Sequence, residues 1–357
     1  MKTLASIAVV LALVGASAAV ANDDRRPGDR GPGDRDTHRA EVWLAPQSLP
    51  LAPLSRDEDF MQMFRPDAPW KVAAAHTQVF KLYGSFVGHA TQAQIDAIVA
   101  DLNRRHIAIA LENGVLDVPN TPTPPCGGLG LMEGYGTPAQ ARRIAGMIKA
   151  AGGALKYLDM DEPLHNGHFS SRPHACHSPI KLLLQQLQPT IAAYREVFPD
   201  IVIGEAEPTR FPAYAGWQAD LKAWLDGVRQ ILGRPVAYMH LDIPWTDDGG
   251  HVPGATLPSH EPADAITVYH ALEGLRRQHL VGSIGVIEDG TLKDTTDAAW
   301  VQDARAHLQL LEGQYHLRPD HQIFQSWMPH PSRALPETQP DTLTSLVDWY
   351  VDLQRPH

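Results

Sequence analysis

Three carboxylates stand almost side by side in Lys156-Tyr157-Leu158-Asp159-Met160-Asp161-Glu162-Pro163, at the end of an apolar run and directly before a proline. No other stretch of the chain concentrates so much potential acid-base chemistry. Carboxylates that close a buried run must be paired, protonated or used, because an isolated buried charge is costly. The chemistry open to such a cluster is proton donation by a carboxyl whose neighbours raise its pKa, with a second carboxylate elsewhere as base or nucleophile.

Groups of this kind need a rigid frame. From residue 41 onward the chain alternates strand-like apolar runs with helix-like ones. The strand-like runs are 41–46, 78–84, 107–112, 154–161, 201–205 (continuing to 208), 236–242, 282–288 and 322–327. Helical patterns follow each, among them one opened by Thr91, one with Pro138 at its first position, and one over 179–198 in which Pro189 predicts a kink or break. Strict alternation implies parallel strands joined by right-handed crossovers. Eight such units predict a closed (β/α)8 TIM barrel, a single domain over 41–357. The rival, an open doubly wound sheet, calls for a glycine-rich phosphate turn after the first strand. Gly128-Leu129-Gly130 is a partial match in mid-loop.

In a barrel, chemistry gathers at the C-terminal ends of the strands. Those ends carry Lys81 and Tyr83 (strand two), Glu112 (three), Asp159, Asp161 and Glu162 (four), Glu205 and Glu207 (five), Asp242 and Trp245 (six), Glu288 and Asp289 (seven), and Trp327 and His330 (eight). So acidic a rim predicts a polar site for hydroxyl-rich or cationic ligands. Asp161-Glu162-Pro163 on strand four, Glu288 on strand seven and Trp327 on strand eight together resemble the retaining glycoside hydrolases of clan A. In that clan the acid/base sits in an Asn-Glu-Pro motif on strand four and the nucleophile on strand seven. The resemblance covers about residues 41–353 and implies a hydrolase of glycosidic bonds, with Glu162 as acid/base and Glu288 as nucleophile. It departs from the clan at Asp161, where an ionised carboxylate can only accept hydrogen bonds. Lys81, Tyr83, Glu112, Asp159, Asp161, Glu205, Asp242, Trp245, Trp327 and His330 are then candidates for binding an oligo- or polysaccharide. The alternatives are a structural ion pair for Lys81, salt-bridge roles for the acids, and core or rim packing for the tryptophans.

Composition narrows the remaining classes. With 30 Lys and Arg against 41 Asp and Glu, the formal charge is -11, which argues against nucleic-acid and anionic-membrane partners. Lys2, the apolar run 4–14 and Ala19-Val20-Ala21 read as a cleavable signal peptide over 1–21, predicting a periplasmic or secreted protein with no membrane segment after cleavage. Residues 22–40, rich in Pro, Gly and charge, read as a disordered linker. Export permits disulfides, and Cys126 and Cys176, in loops at the same end of the barrel, are expected to pair. His165, His168, His174 and His177 lie close together, but their spacing matches no zinc motif. No cofactor or metal is expected. A barrel that binds carbohydrate without catalysis, and a metal-dependent hydrolase using the rim Asp and His, are the other readings.

Overall fold

A computed structural model describes residues 39–48, 57–118, 126–127, 132–170, 172, 174–245 and 261–355. The expected signal peptide and most of the expected linker lie outside the described residues. Eight parallel strands close into a barrel: β1 (Glu41–Ala45), β2 (Val79–Tyr83), β3 (Ala108–Asn113), β4 (Leu155–Asp161), β5 (Val202–Pro208), β6 (Val236–Asp242), β7 (Val281–Glu288) and β8 (His321–Gln325), with β8 pairing back onto β1. This is the (β/α)8 TIM barrel that the alternation predicts. Among the described residues no helix is long and apolar enough to cross a membrane.

Side chains alternate across each strand, so each strand feeds two cores. The inner core holds Trp43, Val79, Ala110, Ala206, Tyr238, Ile287 and Ile323. Space there is tight: a Cβ on Gly204 would lie 2.1 Å from the Tyr238 ring, so only glycine fits opposite that tyrosine. The outer core joins the other strand face to the helices through residues such as Leu111, Met160, Ile203, Val286 and Phe324. Membership of one core or the other fixes which way each strand-end side chain points.

The helices form where their caps and apolar stripes predict. Thr91 closes a capping box on Gln92–Arg105, and Thr137 caps Pro138–Ala150. The helix Ile180–Val197 runs through Pro189, so of the expected kink or break the break does not occur. Leu183, Leu187, Ile191 and Tyr194 of this helix are fully or almost fully buried, and that packing outweighs the lost backbone hydrogen bond. The segment after β4, expected as loop, instead begins with a helical turn, His165–Phe169. Cys126 and Cys176 form a disulfide with Cα atoms 4.9 Å apart, tying the segment after β3 to the segment after β4.

Candidate active site

A cavity of about 720 Å³ opens at the C-terminal mouth of the barrel. Tyr83, Glu112, Asp161, Glu162, Asp242 and Trp327 line it, as sequence reasoning anticipates. Asn113, Glu133, His165, Arg172, Arg210 and Gln325 line it too. Of these, His165 belongs to the histidine cluster that the sequence shows, and the other five carry no motif.

Beneath the floor lies a chain of buried polar groups. Lys81, fully buried, ion-pairs with Glu112 and donates to Asp159 Oδ2 at 2.9 Å. His240 Nδ1 lies 3.1 Å from the same oxygen, and its Nε2 is 3.1 Å from His321 Nδ1. Burial alone would raise the Asp159 pKa, but Lys81 and His240 hold it down to about 2. An ionised Asp159 only accepts, so His240 must donate from Nδ1 and accept at Nε2 from His321. Burial is also the largest influence on Lys81 and would lower its pKa, but Asp159 and Glu112 carry it above the ordinary range. Lys81 and Asp159 are therefore a buried ion pair below the cleft, outside its lining.

Glu162 is set by backbone and side-chain contacts together. Its φ is +45°, in the left-handed region, although it precedes a proline and is not glycine. Such a conformation costs on the order of 1–3 kcal/mol and persists only where surroundings enforce it. Here the Glu162 N–H donates to Ala206 O (2.9 Å), and its carbonyl accepts from Asn166 N (3.0 Å). Asn166 Nδ2 donates to Glu162 Oε2 at 2.8 Å, which fixes the carboxyl. Glu207 braces the turn that follows: its two oxygens accept the N–H groups of Leu164 (2.6 Å) and His165 (3.0 Å). Burial raises the Glu162 pKa well above the ordinary value, and Glu133, Asp242 and Asp161 add to the effect. Asp161 is also pushed well up, by burial and then by Glu112 and Glu133. Asp242 is pushed up to about 7, by burial first and then by Glu112. The cleft thus holds several carboxyls whose proton affinity is raised, as general-acid chemistry requires.

The other expected site residues lie elsewhere. Glu288 faces the helices. Its neighbour Ile287 belongs to the inner core, and its register partner on β8, Phe324, belongs to the outer one. Only 1% of it is exposed, among the described residues neither oxygen has a hydrogen-bond partner, and burial followed by Glu312 raises its pKa well above normal. A neutral carboxyl behind the sheet cannot attack a substrate in the cleft. This overturns the nucleophile assignment. Strand alternation turns the next residue, Asp289, inward, but it is fully buried and does not line the cavity.

Glu205 also faces outward, accepting from Trp224 Nε1 (2.8 Å), so it does not bind substrate. Trp245 is buried against His307, the rings stacked 3.7 Å apart, and is likewise absent from the lining. His330 Nδ1 is held by Asp297 Oδ1 at 2.6 Å, outside the cleft. Among the described residues no three His, Cys, Asp or Glu side chains converge as a metal site. His165 packs by Tyr214 and Phe211, while His168 faces Asp220 and the Ser178 carbonyl.

Arg210 carries a sequence signal. Arg210 falls two residues beyond β5, in the same kind of position as the acids at the other strand ends. Arg172 and Glu133 come from loops, where sequence alone gives no direction.

Fold and cleft together define a parallel (β/α)8 barrel with a carboxyl-lined mouth. No protein-family model and no curated protein matches the sequence. Among solved structures, the chain is similar to a glucosidase from Croceicoccus marinus (11% identity, TM-score 0.42, covering 70% of this chain and 53% of that one). It is also similar to the virulence factor SghA of Agrobacterium tumefaciens, solved with its substrate analog salicin (12% identity, TM-score 0.42, 84% of each chain). A third similar structure is the old yellow enzyme homologue of Zymomonas mobilis (10% identity, TM-score 0.45, 80% of this chain and 84% of that one). The chain thus spans about half the length of the glucosidase. These likenesses concern the barrel fold.

Proposed function

We propose that the protein is an exported glycoside hydrolase in which Glu162 is the general acid and Asp242 the second carboxyl. The observation that carries this reading is the setting of Glu162. It lines the barrel mouth with its carboxyl held by Asn166 and its pKa raised by burial and by Glu133, Asp242 and Asp161. Protonated Glu162 delivers its proton to the glycosidic oxygen as the bond to the leaving sugar breaks. Asp242, ionised above about pH 7, either attacks the anomeric carbon or draws a proton from attacking water. Glu162, now ionised, serves as base for the second step of the first route. Trp327, 37% exposed at the rim, offers a flat apolar face to a sugar ring.

The test is a screen of the purified protein against poly- and oligosaccharides, with the product anomer read by NMR. Retention assigns Asp242 as nucleophile, and inversion assigns it as base to water. Release of no reducing sugar from any polysaccharide, together with undiminished binding, would replace this reading with that of a non-catalytic carbohydrate-binding barrel.

A further inference from the structure

Two guanidiniums, Arg172 and Arg210, line the cavity on the side of β4 and β5. Arg210 follows Pro208 and Thr209 at the end of β5, and Arg172 comes from the segment after the helical turn His165–Phe169. Arg210 Nε is buried and, among the described residues, has no hydrogen-bond partner. Among the described residues neither guanidinium makes an ion pair or a hydrogen bond. Both charges act on His165 and Tyr214, which places them on the same side of the cleft. That side is also the side of Glu162, since His165 Nδ1 is 4.0 Å from Glu162 Oε2.

Among the described residues no carboxyl in reach forms an ion pair with either arginine. Glu112 is spent on Lys81. Asp242 and Glu261 feel Arg210, but burial pushes each up to about 7, and Glu261 accepts from Thr209 Oγ1 at 3.0 Å instead. An arginine does not shed its charge, so the half-buried Arg210 without a counter-ion is left under-solvated until an anion reaches it, while Arg172 is exposed beside it and free to close on the same anion. Its planar fork matches the oxygens of a carboxylate or sulfate.

We propose that Arg172 and Arg210 form an anion-binding subsite beside Glu162, and that the sugar bound there bears a carboxylate or a sulfate group. The inference rests on the carbohydrate reading above and narrows it from neutral glycans to acidic ones. Asp161 and Glu162 have raised proton affinity, which lessens the negative charge of the lining; Asp242, ionised above about pH 7, and Glu133 share that lining.

Calorimetric titration of the full chain carrying Glu162→Gln, which blocks turnover, tests this. The probes are tetrasaccharides of α-1,4- and β-1,4-linked uronates, their carboxyl-reduced neutral twins, sulfated forms of those twins, and citrate as an anion that is not a sugar. A uronate or sulfated probe is expected to bind about tenfold or more tightly than its neutral twin, as charge-assisted forked hydrogen bonds imply. Which probe wins separates carboxylate from sulfate. Adding Arg210→Ala or Arg172→Ala should erase that advantage and leave the neutral twin unchanged. Arg210→Lys, which keeps the charge and loses the fork, should retain part of it and serves if the alanine variant does not fold. Equal binding of acidic and neutral twins, or an advantage that survives loss of both arginines, overturns the subsite while leaving the carbohydrate reading standing. Citrate binding as tightly as the acidic sugars, and lost with Arg210, upholds the subsite and overturns the carbohydrate reading. No binding by any probe overturns both.

Discussion

The ends of β4 and β7 each carry adjacent carboxyls, and the fold treats them in opposite ways. After β4 the backbone turns sharply at Glu162, with φ +45°, and that turn brings the carboxyl into the cleft beside Asp161. Glu207 braces the following turn from β5, and Asn166 reaches back to the Glu162 carboxyl. After β7 no comparable turn redirects the side chains. Glu288 stays on the helix face of the sheet and Asp289 is enclosed. The difference teaches that a carboxylate at a strand end becomes a site residue through the backbone that follows it. Position along the strand is not sufficient.

Several variants sharpen or break that comparison. The largest effect is expected at Asp242→Asn, which should lower kcat by on the order of 10²–10⁴-fold without unfolding the barrel. In the unsubstituted enzyme the acid limb of kcat/KM should lie near pH 7, where Asp242 ionises. An acid limb at the ordinary carboxylate pH of about 4 would contradict that assignment.

Next in size is Lys81→Met, which strands the Glu112 and Asp159 carboxylates and should cost about 3–5 kcal/mol in denaturant unfolding. The same group predicts a pH effect. Asp159 is held down to about 2, below its unfolded value, so its stabilisation is present above about pH 4 and is lost as the pH falls from there toward 2. Lys81→Met should flatten the fall in stability over that window, and an unchanged slope would count against the ion pair.

Glu207→Ala should follow, costing about 1–3 kcal/mol by leaving two buried N–H groups without an acceptor. Because Glu207 acts through the Glu162 turn and does not line the cavity, kcat should fall more than KM rises. The equivalent loss at β7, Glu288→Ala, should change stability alone. The smallest effect is at Trp327→Ala, where removing a half-open platform should raise KM by about fivefold with kcat little changed.

The sequence was most informative where the pattern repeats. Eight alternations of apolar strand and amphipathic helix leave few topologies open, and the barrel follows. The β4 cluster was legible because it stands at a strand end before Pro163. The inward face of β7 was not. Val281–Glu288 is apolar on both sides, so Ile287 and Val286 look equally suited to either core, and a shift of one residue reverses every side chain. Trp245 misled for a related reason. Aromatic rings at a rim serve stacking on a sugar or on a neighbour, and here the neighbour is His307. The brace from Glu207 to residues 164 and 165 joins positions more than 40 apart in sequence, and nothing local announces it.

The most direct test of the central claim is turnover by Glu162→Gln and Glu288→Gln, measured side by side on a glycan that the unsubstituted enzyme hydrolyses, with circular dichroism as the check on folding. A loss of about 10²–10⁴-fold is expected for Glu162→Gln, the order of a general acid's contribution. Near-normal turnover is expected for Glu288→Gln, since an amide there replaces a buried carboxyl outside the cleft whose pKa burial has raised. A folded Glu288→Gln protein that loses turnover while Glu162→Gln keeps it would contradict the account.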